Sequence, residues 1–189
     1  MMIFLEILAV VFALTYLYLA TKQNIACWYA AFISTSIYIF LYWDVSLYME
    51  SILNLYYLSM AIFGWWQWNK IGKENPSLIT VWSIMAHSLV ITLIFLLTFL
   101  SGYFLNTTDA VRPYLDSFTT WASVVTTYMV AQKVLSNWLY WIVINSVGIF
   151  LNLDRELYLT SLLLIIYQVI SIVGYLKWQI SYNEQLSQY

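Results

Sequence analysis

Seven hydrophobic runs, each bounded by charged or turn-forming residues, follow one another along the chain. A helix needs roughly 20 apolar residues to cross a bilayer, so seven crossings would use about 140 residues. Apolar residues make up 63% of the sequence and charged residues only 8%, whereas a soluble domain carries about 25% charged residues. The sequence therefore predicts an all-α integral membrane protein with seven transmembrane helices and no second, water-soluble domain. The predicted spans are 3–20, 25–43, 45–68, 78–105, 114–132, 136–153 and 157–178.

The same sequence argues against several other classes of protein. A net charge of −2 offers no electrostatic footprint for a nucleic acid. Cys27 is the single cysteine and His87 the single histidine, so we expect no internal disulfide, no metal site and a structural role for His87. We find no nucleophile–base pair, phosphate-binding loop or ATP motif, and we therefore expect neither an enzyme, nor a cofactor, nor transport powered by this chain. The first run lacks a basic start and a small-residue cleavage site, so we expect it to remain as a helix.

Basic residues predict the orientation of the chain in the membrane. The segments after the odd-numbered spans carry five lysines, whereas the opposite side carries only Arg112 and Arg155. Because cytoplasmic loops are enriched in Lys and Arg, we expect the lysine-rich side in the cytoplasm, with the N-terminus outside and the C-terminus inside. The five lysines are Lys22, Lys70, Lys73, Lys133 and Lys177.

The sequence also repeats itself at an offset of 110 residues without a gap. The repeat relates a first three-helix bundle at 3–68 to a second at 114–178, and the span at 78–105 links them. Four crossings separate the copies, an even number, so both copies have the same orientation, as in the parallel repeats of sugar-transporting SWEET proteins. We therefore expect a transporter that binds its substrate near the midplane between the bundles, although channels can have such repeats too. The identities include Tyr18/Tyr128, Trp28/Trp138, Phe40/Phe150, Leu41/Leu151, Asp44/Asp154, Leu47/Leu157, Tyr48/Tyr158, Ser51/Ser161, Leu53/Leu163, Tyr57/Tyr167, Gly64/Gly174 and Trp68/Trp178.

Polar residues inside the predicted spans are the candidate site residues, because a polar group in hydrocarbon is costly. Glu50, Asn54 and Tyr57 share one face of the third span by their spacing. Glu50 could attract a cation at the site, or it could reach the outer surface instead. Asn54 could bind the substrate, or it could hydrogen-bond a neighbouring helix.

The sixth span carries a second stripe, formed by Trp138, Trp141 and Asn145. Indole rings attract a flat cationic ring through cation–π interactions, and a neighbouring amide can both donate and accept hydrogen bonds. Trp138 has an alternative place in the aromatic belt at the membrane interface. On the seventh span, Tyr167 and Gln168 either face the site or bridge helices.

Three segments resemble signatures of the Pnu family of bacterial vitamin transporters. The segment YMESILNLYYLSMAIFGWWQW at 48–68 is similar to the third-helix signature of that family. The segment KVLSNWLYWIVIN at 133–145 resembles its sixth-helix signature, and GYLKW at 174–178 resembles its closing motif. Together the similarity covers essentially the whole chain.

The resemblance carries several implications. It implies seven helices in a three-plus-one-plus-three arrangement, a homotrimer and one substrate pathway per protomer. It also implies facilitated diffusion of an unphosphorylated vitamin across the bacterial cytoplasmic membrane, followed by trapping by a cytoplasmic vitamin kinase. On the family pattern, Asn54, Trp138, Trp141 and Asn145 match positions of the substrate site.

The identity of the vitamin depends on finer features of the sequence. Many nicotinamide riboside carriers of the family have Gln or Asn where this chain has Ala61, and an amide there could pair with the substrate's carboxamide. The segments 22–28 and 65–68 are more similar to the subgroup linked to thiamine, whose aminopyrimidine Glu50 and Asn54 could serve. Thiamine is therefore the favoured substrate and nicotinamide riboside the alternative. Riboflavin transport and a membrane receptor without transport are further alternatives.

Overall fold

A computed structural model describes residues 2–44, 48–74, 78–107 and 112–187, and within these ranges the chain forms seven helices. Each helix corresponds to one predicted hydrophobic run, which confirms the all-helical prediction. The helices are α1 (Met2–Thr21), α2 (Cys27–Asp44), α3 (Tyr48–Glu74), α4 (Ile84–Leu105), α5 (Pro113–Ala131), α6 (Asn137–Asp154) and α7 (Tyr158–Ser187). The predicted start of the third span at residue 45, and parts of the segments that flank α4, lie outside the described residues.

Two helices continue well beyond the predicted spans. The spans predicted to end at Trp68 and Trp178 are helical as far as Glu74 and Ser187. The residues that follow the two tryptophans are polar but include good helix formers such as Lys, Glu, Gln and Leu. Hydropathy therefore marked where an apolar run ends and not where the helix ends.

One predicted boundary is wrong, because α4 begins at Ile84 and not at residue 78. The Ser83 hydroxyl accepts a hydrogen bond from the Ala86 amide at 3.3 Å and so caps the helix. The preceding Thr80 pairs instead with the turn between α5 and α6. Its amide donates to the Lys133 carbonyl and its carbonyl accepts from the Leu135 amide, both at 2.9 Å. An apolar run gives no sign of this pairing, because the partner is distant in sequence.

The helices pack as two groups of three. α1, α2 and α3 pack against one another in chain order, α5, α6 and α7 do the same, and α4 packs on α5. The groups meet along two seams, where α1 contacts α7 and α3 contacts α5. Each seam thus joins the first helix of one group to the last helix of the other.

Local geometry is the same at several positions that are 110 residues apart. α2 and α6 begin at such positions, and so do α3 and α7. Gln23 and Lys133 occupy the turns that follow α1 and α5, and both have a left-handed backbone, with φ of 53° and 52°. We call the end of the molecule that carries these two turns the lysine side.

Four buried tryptophans join the two groups near the lysine side. The ring of Trp28 packs edge-on against Trp68, with centroids 5.4 Å apart and an interplanar angle of 84°. Trp138 packs on Trp178 in the same way, at 5.5 Å and 85°. No ring is more than 3% exposed. We refer to these four residues as the tryptophan cluster.

The helices differ in how apolar they are. α1, α4 and α7 are long and apolar enough to cross a membrane by length and composition alone. α2, α3, α5 and α6 carry more Tyr, Trp, Ser, Thr and Asn, and many of these residues face the interior. Large apolar side chains cover the outer surface; Ile84 and Leu159, for example, are 86% and 85% exposed. Such a surface suits lipid and supports a multi-pass membrane protein.

Candidate functional site

A cavity of about 410 Å³ lies between the two groups of helices. Among the described residues, α1, α2, α3, α5, α6 and α7 all contribute to its wall, and α4 does not. From the sequence we expected the substrate to bind between the two bundles, and the cavity lies there. Its aromatic lining residues are Tyr16, Trp28, Tyr38, Tyr57, Trp141 and Tyr167.

Five of the eight residues predicted for the site line this cavity. They come from α3, α6 and α7, so stripes that the sequence placed on separate helices meet in one space. The five are Asn54, Tyr57, Trp141, Asn145 and Tyr167.

Trp138 does not line the cavity with them. Its side chain is 1% exposed and belongs to the tryptophan cluster. Three ring atoms of Trp138 lie 2.7 Å from the point that a Cβ on Gly174 would occupy, so the indole packs directly on the backbone of α7. Trp138 therefore belongs to the tryptophan cluster and not to the cavity lining, although it shares a face of α6 with Trp141.

Glu50 and Gln168 also lie outside the cavity lining. Glu50 is exposed in the first turn of α3, and its carbonyl accepts a hydrogen bond from Asn54 Nδ2 at 2.9 Å. Gln168 Nε2 donates to Ser146 Oγ at 3.3 Å and so bridges α7 to α6. Glu50 is thus exposed at the surface and Gln168 bridges two helices, which are the alternatives to a place in the site that we considered from the sequence.

Several lining residues were missed by sequence reasoning. Gly148 and Asn152 continue the stripe of Trp141 and Asn145 along α6 at steps of three and four, and that spacing could have found them. Tyr38 on α2 also lines the cavity, but in a chain with 17 Tyr its spacing alone did not distinguish it.

Ala61 lies in the apolar core and outside the lining of the cavity. Its side chain is 2% exposed and belongs to the same core cluster as Met60 and Trp28.

Three lining asparagines have their amino groups engaged within the protein. Asn54 Nδ2 donates to the Glu50 carbonyl at 2.9 Å, and Asn152 Nδ2 donates to the Gly148 carbonyl at 2.8 Å. Asn145 Nδ2 donates to Ser171 Oγ at 3.3 Å. The carboxamide oxygens remain available as hydrogen-bond acceptors.

Four of the Ser and Thr hydroxyl groups in the lining follow the same pattern. Ser34 Oγ donates to the Ala9 carbonyl at 2.9 Å, across from α2 to α1. Thr35, Thr119 and Thr127 each donate to a carbonyl of their own helix at 2.8 to 2.9 Å. Because these protons are used, the hydroxyl oxygens also act toward the cavity as acceptors.

The described lining contains no charged side chain. Within the described ranges, no group of three His, Cys, Asp or Glu could hold a metal ion. The cavity therefore offers aromatic faces, neutral acceptor oxygens and four tyrosine hydroxyl groups, which can donate as well as accept hydrogen bonds. These suit a flat cation that carries hydrogen-bond donors, since aromatic faces attract cations and acceptors need donors.

The tryptophan cluster adjoins the cavity on the lysine side. Trp28 belongs to both the cavity wall and the tryptophan cluster, so the cluster lies directly beneath the cavity. Lys133 adds to this layer, with Nζ 4.9 Å from the ring centroid of Trp68 and a side chain only 4% exposed. Burial lowers the pKa of Lys133 from its usual value.

A second, apolar groove of about 480 Å³ lies on the outer surface between α4, α5 and α6. At one end His87 Nδ1 is 2.9 Å from the Tyr140 hydroxyl, and His87 Nε2 is 3.3 Å from Ser136 Oγ. These contacts connect α4 to α6 and its N-terminus. His87 therefore has structural partners and lies outside the central cavity.

Fold and cavity together define a polytopic helical membrane protein with an uncharged, aromatic binding cavity between two groups of helices. The family model for the nicotinamide mononucleotide transporter matches residues 3–180. The chain belongs to this family, which confirms the resemblance read from its motifs.

Individual relatives extend the comparison. The chain is 22% identical to the nicotinamide riboside transporter PnuC of Escherichia coli (strain K12) over an alignment 197 positions long, which covers 90% of this chain and 82% of the relative. The PnuC of Shigella flexneri gives the same values. The crystal structure of the vitamin B3 transporter PnuC has a TM-score of 0.76 at 22% identity and covers 96% of this chain and 83% of that one. The solved structure thus shows the same fold.

Proposed function

We propose that this protein transports nicotinamide riboside across the bacterial cytoplasmic membrane. The observation that carries the proposal is the uncharged cavity whose amide and hydroxyl oxygens are left as acceptors beside Trp141. Nicotinamide riboside is a flat cation with an amide group and sugar hydroxyls that donate hydrogen bonds. The names of the similar transporters support this vitamin over thiamine, which the sequence had favoured.

In the proposed mode of binding, the nicotinamide ring stacks on Trp141. Cation–π attraction in a desolvated site is worth about 2 kcal/mol. The oxygens of Asn145 and Asn54 accept hydrogen bonds from the ligand and orient it. No charged partner is required, because the aromatic faces and acceptor oxygens together stabilise the positive charge.

We further propose that the two groups of helices form a parallel repeat related by an axis along the membrane normal, with α4 as the linker. Support comes from the equal geometry at positions 110 residues apart, in the turns at Gln23 and Lys133 and in the ring pairs of the tryptophan cluster. Substrate would bind on this axis and pass between the groups.

The remaining features of the proposal rest on the distribution of lysines and on the family resemblance. The vitamin moves down its gradient, and a cytoplasmic kinase traps it by adding a phosphate. The lysine side faces the cytoplasm, the N-terminus lies outside, and the protein assembles as a homotrimer with one pathway per protomer. The tryptophan cluster must part to release the substrate inside, since it lies beneath the cavity.

Proteoliposomes test this function directly. Purified protein is reconstituted, and uptake of radiolabelled nicotinamide riboside, thiamine and riboflavin is measured against protein-free vesicles. We expect saturable uptake of nicotinamide riboside that stops at the external concentration. Uptake of thiamine alone would contradict the proposed substrate. Binding of nicotinamide riboside without uptake would indicate a receptor and contradict transport.

A further inference from the structure

On the cavity walls formed by α2 and α6, a large side chain on one helix corresponds to a small one at the equivalent position of the other. At the offset of 110, Ala31 of α2 corresponds to Trp141 of α6, and Tyr38 corresponds to Gly148. All four residues line the cavity. At each of these two levels, one wall therefore presents an aromatic ring and the other presents almost no side chain. This exchange of large for small leaves room for a ligand group beside each ring.

The two levels are well separated along the cavity. Ala31 and Tyr38 are seven residues apart, as are Trp141 and Gly148, which corresponds to about 10.5 Å along a helix. Both helices begin at the lysine side, so the level of Trp141 is the inner level and that of Tyr38 the outer level. A single heteroaromatic ring is too short to contact both.

At the outer level, contacts with neighbouring residues restrain the side chains that line the cavity. The ring of Tyr38 stacks on Tyr42, with centroids 5.5 Å apart and an interplanar angle of 16°, which restrains its orientation. One turn beyond Gly148, Asn152 also lines the cavity and donates its amino group to the Gly148 carbonyl. An aromatic face therefore accompanies an acceptor oxygen. The Asn152 oxygen can accept a hydrogen bond from a hydroxyl group of a ligand.

We propose that Tyr38, Gly148 and Asn152 form a second subsite, which binds the hydroxyl-bearing end of a ligand whose cationic ring stacks on Trp141. This inference rests on the proposed function and assigns the ligand class of the same cavity: an elongated molecule with a charged heteroaromatic ring at one end and hydroxyl groups at the other. Tyr38 selects for the length of the ligand, and Trp141 selects for its ring.

The test compares a whole ligand with its ring alone. The dissociation constant of nicotinamide riboside is measured by calorimetry, and 1-methylnicotinamide, a cationic ring without a sugar, is titrated as a competitor. The variants are Tyr38→Ala, Tyr38→Phe and Trp141→Ala. Tyr29→Ala is the matched control, because Tyr29 lies on the same helix, is 57% exposed and contacts Trp65 outside the cavity.

We expect Tyr38→Ala to weaken binding of nicotinamide riboside by about fivefold or more, from lost contact area, and to leave the inhibition constant of 1-methylnicotinamide unchanged. Trp141→Ala should weaken both ligands, and Tyr38→Phe should retain most of the riboside affinity. Equal effects of Tyr38→Ala on both ligands, or none on either, would overturn the second subsite. So would the failure of 1-methylnicotinamide to compete in the wild type.

The proposed function and the second subsite can fail separately. If the wild type binds thiamine and not nicotinamide riboside, the proposed substrate is wrong. The same variants are then compared for thiamine and for a 3,4-dimethylthiazolium fragment, which keeps the charged ring and lacks the hydroxyethyl group. A Tyr38→Ala effect confined to thiamine would still support the subsite, and equal effects on thiamine and the fragment would overturn it.

Discussion

Trp68 and Trp178 contact each other where the two groups of helices meet, with ring centroids 6.1 Å apart. Each donates its indole N–H to a carbonyl of the other group: Trp68 to Val130 at 3.2 Å and Trp178 to Ala20 at 3.0 Å. Donors and acceptors both differ by 110 positions, so the two hydrogen bonds are equivalent under the sequence repeat. The pair therefore ties together both seams of the molecule.

The first prediction concerns these two hydrogen bonds. Trp68→Phe and Trp178→Phe each remove the indole donor from a carbonyl that keeps its backbone hydrogen bond from Lys133 or Gln23. Each should lower the free energy of unfolding by about 1–3 kcal/mol, from the lost hydrogen bond and from the smaller ring in a buried site. Because the bonds are equivalent, the two losses should be similar. Unfolding of the purified variants in detergent measures them, with Trp66→Phe as the control, since Trp66 is 52% exposed. A large loss for one variant and none for the other would contradict the equivalence.

The second prediction concerns the glycines beneath the tryptophan rings. A Cβ at Gly174 would meet ring atoms of Trp138 at 2.7 Å, and a Cβ at Gly64 would meet the ring of Trp28. Gly174→Ala and Gly64→Ala should each destabilise the fold by about 1–3 kcal/mol through overpacking. Thermal unfolding checks this, and Ser59→Ala at an exposed position of α3 is the control. Unchanged melting temperatures in both glycine variants would show that the rings do not pack as described.

The seven helices were largely predictable, because hydrophobic runs leave clear patterns in the sequence. The extension of α7 from Trp178 to Ser187 was not, since polar residues outside a membrane have no hydropathy signal for helix. The late start of α4 depends on the pairing of Thr80 with the turn at Lys133. Contacts between distant segments cannot be read from the composition of either segment.

The third prediction concerns Asn145. Replacing Asn145 by Leu removes an acceptor oxygen from the cavity, and an unpaired donor on the ligand should cost about 1–3 kcal/mol of binding. Calorimetric titration with nicotinamide riboside measures the change. Ser171→Ala is the control, because it removes only the partner of Asn145 Nδ2. If Ser171→Ala weakened binding as much as Asn145→Leu, the effect would be structural and not a ligand contact.

The fourth prediction distinguishes facilitated diffusion from transport driven by an ion gradient. Glu50 and His87 are ionisable side chains that the sequence placed in spans, and neither lines the cavity. Glu50→Gln and His87→Ala should therefore leave uptake unchanged, and imposed proton or sodium gradients should not alter it. Vesicle uptake with and without each gradient is the measurement. Accumulation above the external concentration under a gradient would refute facilitated diffusion.

The site was only partly predictable, for a physical reason. The spacing of Asn54 with Tyr57, and of Trp141 with Asn145, assigned each pair to one helix face, and the faces do meet at the cavity. Trp138 shares the face of Trp141, yet it packs on Gly174 of α7. Helical spacing fixes direction around an axis, whereas the depth of the cavity depends on how neighbouring helices pack.

The dissociation constant of nicotinamide riboside for the wild type and for Trp141→Ala tests the central claim most directly. Trp141 is the ring on which the ligand is proposed to stack, and Trp66→Ala, outside the cavity, is the matched control. We expect Trp141→Ala to weaken binding by about 1–2 kcal/mol, or about fivefold to thirtyfold, while Trp66→Ala changes it little. A folded Trp141→Ala protein that binds the riboside with unchanged affinity would show that the substrate binds elsewhere.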